Sequence, residues 1–266
     1  MNDAGWLLIT TAVSLVAGAV AGWVSSWHAR REARRERVRE EVLRWANPIR
    51  NAVRGLESRL GNILELDLYK ALSARSAGVD RAVHPEWAVS YEYVMPSTLF
   101  LFAEYFAWVQ LLREWLSLEL FESERSHQSF VAATWKVTDA LGHWPLEPDT
   151  GEEDDTGEGK LVLAGIDAQV FALQQRAIGE LVIERDREPP RVLTYRAFLD
   201  SLDSDRRFAS LIEPLRSLLE SLEPGTKRWR RLERTNIALK ELESECRALL
   251  RLDGESTRIA AGAEPR

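Results

Sequence analysis

Between Ala4 and Trp27 the chain carries no charged residue, and just beyond come Arg30, Arg31, Arg34, Arg35, Arg37 and Arg39. A helix that crosses the hydrocarbon core of a bilayer needs about 20 mostly apolar residues, and Gly5 to Ser26 supplies 22. Trp6 stands at one end of the run and Trp23 and Trp27 at the other, where indole rings favour the membrane interface. The pattern predicts a transmembrane anchor over residues 1–27. A secretory signal peptide competes with this reading, but such a peptide starts with basic residues and ends at a small-residue cleavage site. Here the start is Met1-Asn2-Asp3, and the arginines follow the apolar run. Basic residues stay on the cytoplasmic side of a span. The expected location is therefore the cell membrane, single-pass, with the N-terminus outside and the C-terminal domain cytoplasmic.

Ser14, Gly18, Gly22 and Ser26 recur every four residues and so share one face of the expected helix. Gly18 and Gly22 form a pair that lets two helices approach closely. The spacing offers a homodimer face, although small residues are common in any membrane helix. Residues 28–47 read as a basic juxtamembrane helix whose arginines set topology and meet anionic lipid. Glu32, Glu36, Glu40 and Glu41 interleave with them, as on an ordinary solvated helix. From residue 28 to 59 ten Arg stand against five Glu, whereas the whole chain is net −7. The acidic remainder is repelled by nucleic acid. That leaves the lipid bilayer, a second copy of the chain and an unidentified protein as expected partners, with no nucleic acid.

Past the collar, Val38, Val42, Trp45, Ile49, Val53, Leu56, Leu60 and Ile63 are spaced by three or four, which is one apolar stripe of a helix. Asn47-Pro48 interrupts it as an N-cap and first-turn pair, so the helix either kinks or restarts there. Residues 73–95 carry few periodic signals and read as a loop or a short irregular helix. Pro96 then opens the most apolar later segment, Leu99 to Leu112. Glu104 at its centre would cost a few kcal/mol in a membrane. The segment reads as the central buried helix of a bundle, with a second span over residues 94–112 as the alternative. Further helices are expected over residues 123–143, after a cap at Asp167, over 195–202, over 208–222 and over 226–252. The last carries Leu232, Thr235, Leu239, Leu242, Cys246 and Leu249 in a coiled-coil-like seam. Residues 147–160 are acidic without a large apolar side chain and read as a flexible loop. The expected fold class is all-α. An N-terminal transmembrane helix continues into a cytoplasmic helical bundle of about six to eight helices over residues 48–252, and residues 253–266 form a disordered tail.

The search for chemistry finds little. Glu124 and His127 have the i, i+3 spacing of di-iron bundles, but those sites need a second such pair and two further glutamates. His28, His84 and His143 have no acid three residues before them. Glu124 and His127 are the only metal candidates, and weak ones. Cys246, the single cysteine, lies on an apolar seam where a buried, inert thiol is the default. Neither a nucleophile elbow nor a phosphate-binding glycine loop is present, and no cofactor is implied. Trp45, Trp87, Trp108, Trp115, Trp135, Trp144 and Trp229 lie outside the anchor and read mainly as core. Trp229 is flanked by Lys227, Arg228, Arg230 and Arg231. It either docks on a membrane or acidic partner or packs at the start of the last helix.

The blocks Trp45-Ala46-Asn47-Pro48-Ile49, Met95-Pro96-Ser97-Thr98-Leu99 and Asp167 to Arg176 resemble those of N-terminally membrane-anchored helical proteins of high-GC Gram-positive bacteria, to which no activity is assigned. The excess of Arg over Lys, 30 to 5, fits high-GC coding. The resemblance implies an anchor and a bacterial source, without catalytic residues. The leading expectation is a non-enzymatic interaction, scaffold or regulatory protein presenting a helical bundle at the cytoplasmic membrane face. A membrane-tethered enzyme or effector with a non-local site is the alternative, with Glu104, Glu124 and His127 the first residues to inspect.

Overall fold

The computed structural model describes residues 23, 25–33, 36–37, 40, 42–72, 91–115, 121, 124–142, 169–220 and 222–261. The chain divides into two compact units, Met1–Arg44 and Trp45–Arg266. In the first, the residues described before the π-helical turn Val42–Ala46 are helical and exposed. The Ser26 hydroxyl donates to the Trp23 carbonyl at 2.9 Å, and the Arg31 guanidinium lies 5.2 Å from the centre of the Trp27 ring. Arg30, Arg31 and Arg37 are exposed. Arg34, Arg35 and Arg39 lie outside the described residues, as do Ser14, Gly18, Gly22 and most of the expected anchor. Among the described residues no helix is long and apolar enough to cross a membrane.

The second unit is helical apart from one small hairpin. Its elements are α1 (Asn47–Glu65), a 3-10 turn (Leu68–Leu72), α2 (Tyr91–Trp115), α3 (Glu124–Gly142), α4 (Ala172–Leu181), β1 (Ile183–Glu184), β2 (Arg191–Val192), α5 (Tyr195–Ser204), α6 (Arg206–Leu219) and α7 (Lys227–Ala261). Seven α-helices among the described residues fall within the expected six to eight. The strands pair antiparallel, Ile183 with Val192 and Glu184 with Arg191. The acidic loop 147–160 lies outside the described residues.

α1 forms because its apolar residues repeat at helical spacing. Trp45, Ile49, Val53, Leu56, Leu60 and Ile63 are all buried, facing α2 and α7. The interruption at Asn47-Pro48 is a π-helical turn, Val42–Ala46, with no side-chain cap. α2 is buried on nearly every side, by α1, α4, α5 and α6, which agrees with a central bundle helix. It does not meet the requirement for a membrane span, and its neighbours satisfy its apolar surface without lipid. α7 buries Leu232, Thr235, Leu239, Leu242 and Cys246 against α1 and α3. These five seam residues are buried inside the bundle.

Several boundaries differ from the sequence expectation. α2 starts at Tyr91, and Pro96 sits inside it. The first turn is held from outside, because the Tyr91 hydroxyl donates to Glu220 Oε1 at 3.0 Å just past α6. Within the turn, the Ser97 and Thr98 hydroxyls donate to the Val94 carbonyl at 3.2 and 2.6 Å. Pro214 is likewise interior to α6, whose start is fixed by the Asp205 side chain accepting from the Arg207 and Phe208 amides. α7 continues to Ala261, through most of the segment expected to be a disordered tail. Of the eleven residues 251–261, six are helix-forming Ala, Arg, Glu or Leu.

α4 is the largest correction. By side-chain type some combination of Val170, Phe171, Leu173, Leu181 and Val182 would form its core face; Val170 and Val182 are buried, but Phe171 and Leu173 are exposed, and Gln175, Ile178 and Gly179 point inward. Phe171 caps the helix, its amide donating to Gln174 Oε1 at 2.8 Å, while Asp167 lies outside the described residues. The inward face follows from how closely α4 meets its neighbours. A Cβ on Gly179 would lie 2.8 Å from the Phe106 carbonyl carbon and oxygen. A Cβ on Gly142, at the end of α3, would lie 2.8 Å from the Val170 carbonyl oxygen.

Polar groups tie the helices together where apolar packing stops. Glu243 on α7 is buried and bridges Arg247 at 2.7 Å and Arg50 on α1 at 3.5 Å. Arg231 is 1% exposed and donates to the Ala140 carbonyl at 3.1 Å, where a cation suits the C-terminal end of α3. Arg185, in the hairpin, makes two 2.8 Å hydrogen bonds to the Glu114 carboxylate at the end of α2. That contact holds the Glu114 carboxyl below its ordinary range.

Candidate functional site

α2 packs against α1, α4 and α6, whereas α3 packs against α7 and α4. α2 and α3 meet little directly, and two hollows remain between them. The first, about 170 Å³, lies among α2, α3 and α4. The second, about 190 Å³, lies between α2 and the first half of α3. Arg113 and Val109 line both, so the arginine stands between them.

Each wall of the first hollow is fixed by a backbone contact. Gln110 on α2 donates its amide to the Arg176 carbonyl at 3.0 Å. Gln175 on α4 donates to the Thr138 carbonyl at 3.0 Å and to the Val170 carbonyl at 2.7 Å. A carboxamide has two N–H donors, so Gln175 retains only its oxygen for further bonding. The Arg113 guanidinium lies 4.8 Å from the centre of the Trp135 ring, a cation–π contact. Arg113 makes no ion pair among the described residues. Trp135, expected in the core, is instead about half exposed because it serves as this platform.

Tyr105 also lines the first hollow. It is 1% exposed, and its hydroxyl has no hydrogen-bond partner among the described residues. Burial pushes the phenol pKa far up, the Cys246 thiol adds to the rise, and Arg113 opposes it. A buried hydroxyl left unbonded costs about 1–3 kcal/mol.

The residues singled out from sequence do not converge here. Glu124 is exposed and accepts a hydrogen bond from Gln128 Nε2 at 3.3 Å. His127 lines the second hollow, its ring edge-on to Phe121 at 4.8 Å. Among the described residues no three His, Cys, Asp or Glu side chains cluster as metal ligands would. Cys246 is buried, and desolvation raises its thiol pKa to about 12, so it is not a thiolate at neutral pH. Trp229 is buried, donates from Nε1 to Glu233 at 2.8 Å and meets Tyr69 edge-on at 5.3 Å. Its indole packs at the start of α7 and is not presented to a membrane. Trp108 and Trp115 gather around Trp45 at centroid distances of 6.4 and 6.2 Å, with Trp115 half exposed. Trp87 and Trp144 lie outside the described residues.

Glu104 is partly buried and without a hydrogen bond or ion pair among the described residues, and desolvation raises its pKa above 4.5. It lines neither hollow. An acid whose pKa is raised in the folded state gains a proton on folding, so its ionised form lowers stability. Glu104→Gln is expected to melt at a higher temperature than the native chain at pH 7. The difference should shrink as pH falls through the raised pKa to 4.5, where both folded and unfolded states hold the proton. Melting curves at pH 7 and 4 check this, and a difference that ignores pH would remove Glu104 as the cause.

The sequence search found neither Tyr105 nor Arg113, because they lie eight residues apart in a helix that is apolar on nearly every side. Only the placement of α3 and α4 sets them on one hollow. Comparison with protein-family models, with curated proteins and with solved structures found no match to this chain.

Proposed function

We propose that the protein is a membrane-tethered, non-enzymatic interaction or regulatory protein that holds a helical bundle at the cytoplasmic face of the cell membrane. The observation that carries this reading is the uncharged run from Ala4 to Trp27 followed by arginines on one side only. The bundle supports the interaction half of the reading through Trp115 and Trp135, both about half exposed, and Arg113 beside Trp135. Trp and Arg are the residue types that most often dominate binding energy at protein interfaces. The face of Ser14, Gly18, Gly22 and Ser26 adds a route to homodimers.

The experiment is fractionation of cells expressing the full chain or a form lacking residues 1–27. The full chain should remain in the membrane pellet through an alkaline carbonate wash, and the shortened form should move to the supernatant. A full chain released by carbonate would sink the tether. Affinity purification of the detergent-extracted chain should recover a second copy or another protein. Recovery of a bare monomer would remove the interaction half. A catalytic reading keeps one observation in its favour, the unpaired Glu104 carboxylate.

A further inference from the structure

We infer that the groove between α2 and α3 docks an acidic amphipathic helix of a partner protein, with apolar side chains in the two hollows and a carboxylate on Arg113. The inference rests on the interaction half of the proposed function and deepens it. Arg113 and Val109 line both hollows, so the two form one groove along α2. Its rim is apolar and wet. Trp135 is about half exposed and Leu173 is 79% exposed, and both border the first hollow. Large apolar side chains left together in water mark a surface that another molecule covers.

Charge selects the partner. The chain is net −7, yet among the described residues no carboxylate lines either hollow, whereas Arg113 and Arg176 do. Arg176 spends Nε on Glu180, one turn along its own helix, at 3.0 Å. The Arg113 guanidinium lies 4.8 Å from the centre of the Trp135 ring and makes no ion pair among the described residues. A guanidinium over a ring face can still offer its N–H fork to a carboxylate. A basic partner would oppose both arginines. An anionic bilayer would meet the repulsion of the whole acidic molecule, whereas a helix brings its acids to the groove alone.

Spacing selects a helix. On α3 the second hollow is lined from His127 to Thr134 and the first by Trp135 and Thr138. Their centres are about six residues apart, or roughly 9 Å at 1.5 Å per residue. Side chains seven apart on a docked helix share a face at about 10.5 Å, which is a recurrent anchor spacing for a helix in a groove. The hollows measure about 170 and 190 Å³, and about 150 Å³ already takes up a benzene ring. Each therefore holds one leucine-sized side chain. A carboxylate midway between the two anchors meets Arg113, which stands between the hollows.

The test is fluorescence anisotropy of a labelled synthetic helix of alanine and glutamate. It carries two leucines seven positions apart with glutamates between them, and it is titrated with the full, detergent-extracted chain. It should bind saturably, about ten-fold tighter than a twin with lysine for glutamate or a twin with alanine for leucine. The preference over the lysine twin should shrink as salt is added. Arg113→Met should weaken the acidic helix about ten-fold, and Arg113→Lys should weaken it less. Leu173→Glu should also weaken it, without lowering the melting temperature, since that side chain is already in water. Arg196→Met, at an exposed α5 residue that lines neither hollow, should leave binding unchanged. Absence of saturable binding below about 1 mM, equal affinity for the acidic and lysine twins, or equal losses in Arg196→Met and Arg113→Met would overturn the assignment. Displacement of the probe by phosphatidylserine bicelles and not by phosphatidylcholine ones would give the groove to a lipid surface instead. A native mass that halves on Leu173→Glu would give it to a second copy of the chain. A chain that fails here but still recovers a protein in the affinity purification loses this groove and keeps its interaction role. Fractionation tests the membrane tether independently.

Discussion

Replacing Glu243 by alanine should destabilise the bundle by about 3 kcal/mol, measured by thermal or urea unfolding of the full chain. Its side chain is only 7% exposed; it accepts a hydrogen bond from Arg247 on its own helix at 2.7 Å and forms an ion pair with Arg50 on α1 at 3.5 Å. Removing the carboxylate leaves Arg50, about one-third exposed, as a cation at the α1–α7 seam with no counter-charge. That stranded charge, more than the lost attraction, sets the size of the effect. Arg247 is half exposed, so its share is small once solvent screening is counted. Glu243→Gln keeps shape and an acceptor oxygen, and should cost less, about 1–2 kcal/mol. Replacing both partners, Arg50→Met with Glu243→Leu, should recover most of the loss, because apolar groups of similar volume need no counter-charge there. A double variant as weak as Glu243→Ala would mean that the two side chains do not act as a pair.

The second large effect is expected at Gly179. Alanine there places a methyl group 2.8 Å from the Phe106 carbonyl carbon and oxygen. Backbone cannot rotate aside as a side chain would, so α4 must back away from α2. Ile178 then loses its burial and the bond from Gln110 to the Arg176 carbonyl lengthens. A loss of about 3 kcal/mol is expected, at the upper end of overpacking costs. Gly61 provides the internal comparison. It is also helical, but nothing lies within 4 Å of a Cβ built there. Gly61→Ala should gain up to about 1 kcal/mol from helix propensity alone. Urea unfolding of the two variants should give opposite signs, and a shared sign would contradict the close approach of α4 to α2.

How much of this was visible beforehand depended on how one-sided each helix is. The stripe from Trp45 to Ile63 and the seam from Leu232 to Cys246 each repeat over several turns, and both are buried as expected. α2 shows no stripe because it has neighbours nearly all round, and that too marked it as central. α4 is ten residues long, too short for a period to outweigh its mixed composition. Phe171 and Leu173 looked like core by side-chain type, but the face that turned inward carries Gly179, whose missing Cβ permits the approach to α2. Trp135 departed from the core role expected of it, whereas Trp229 took one of its two expected places, packed at the start of α7. Trp135 became a platform for Arg113, and Trp229 found Tyr69 and Glu233.

The amino-acid sequence by itself determined the helical class and the inward faces of the long helices. It also determined the basic collar behind an uncharged run. These depend on residues within a few turns of one another, and helical periodicity is a local property. Only the tertiary structure decided the hollow among α2, α3 and α4, the buried and unbonded Tyr105 hydroxyl, and the Glu243 clamp between α1 and α7. Those depend on which helices meet and how closely, which is set by side-chain volumes from distant parts of the chain and by single positions such as Gly179 where no side chain intervenes.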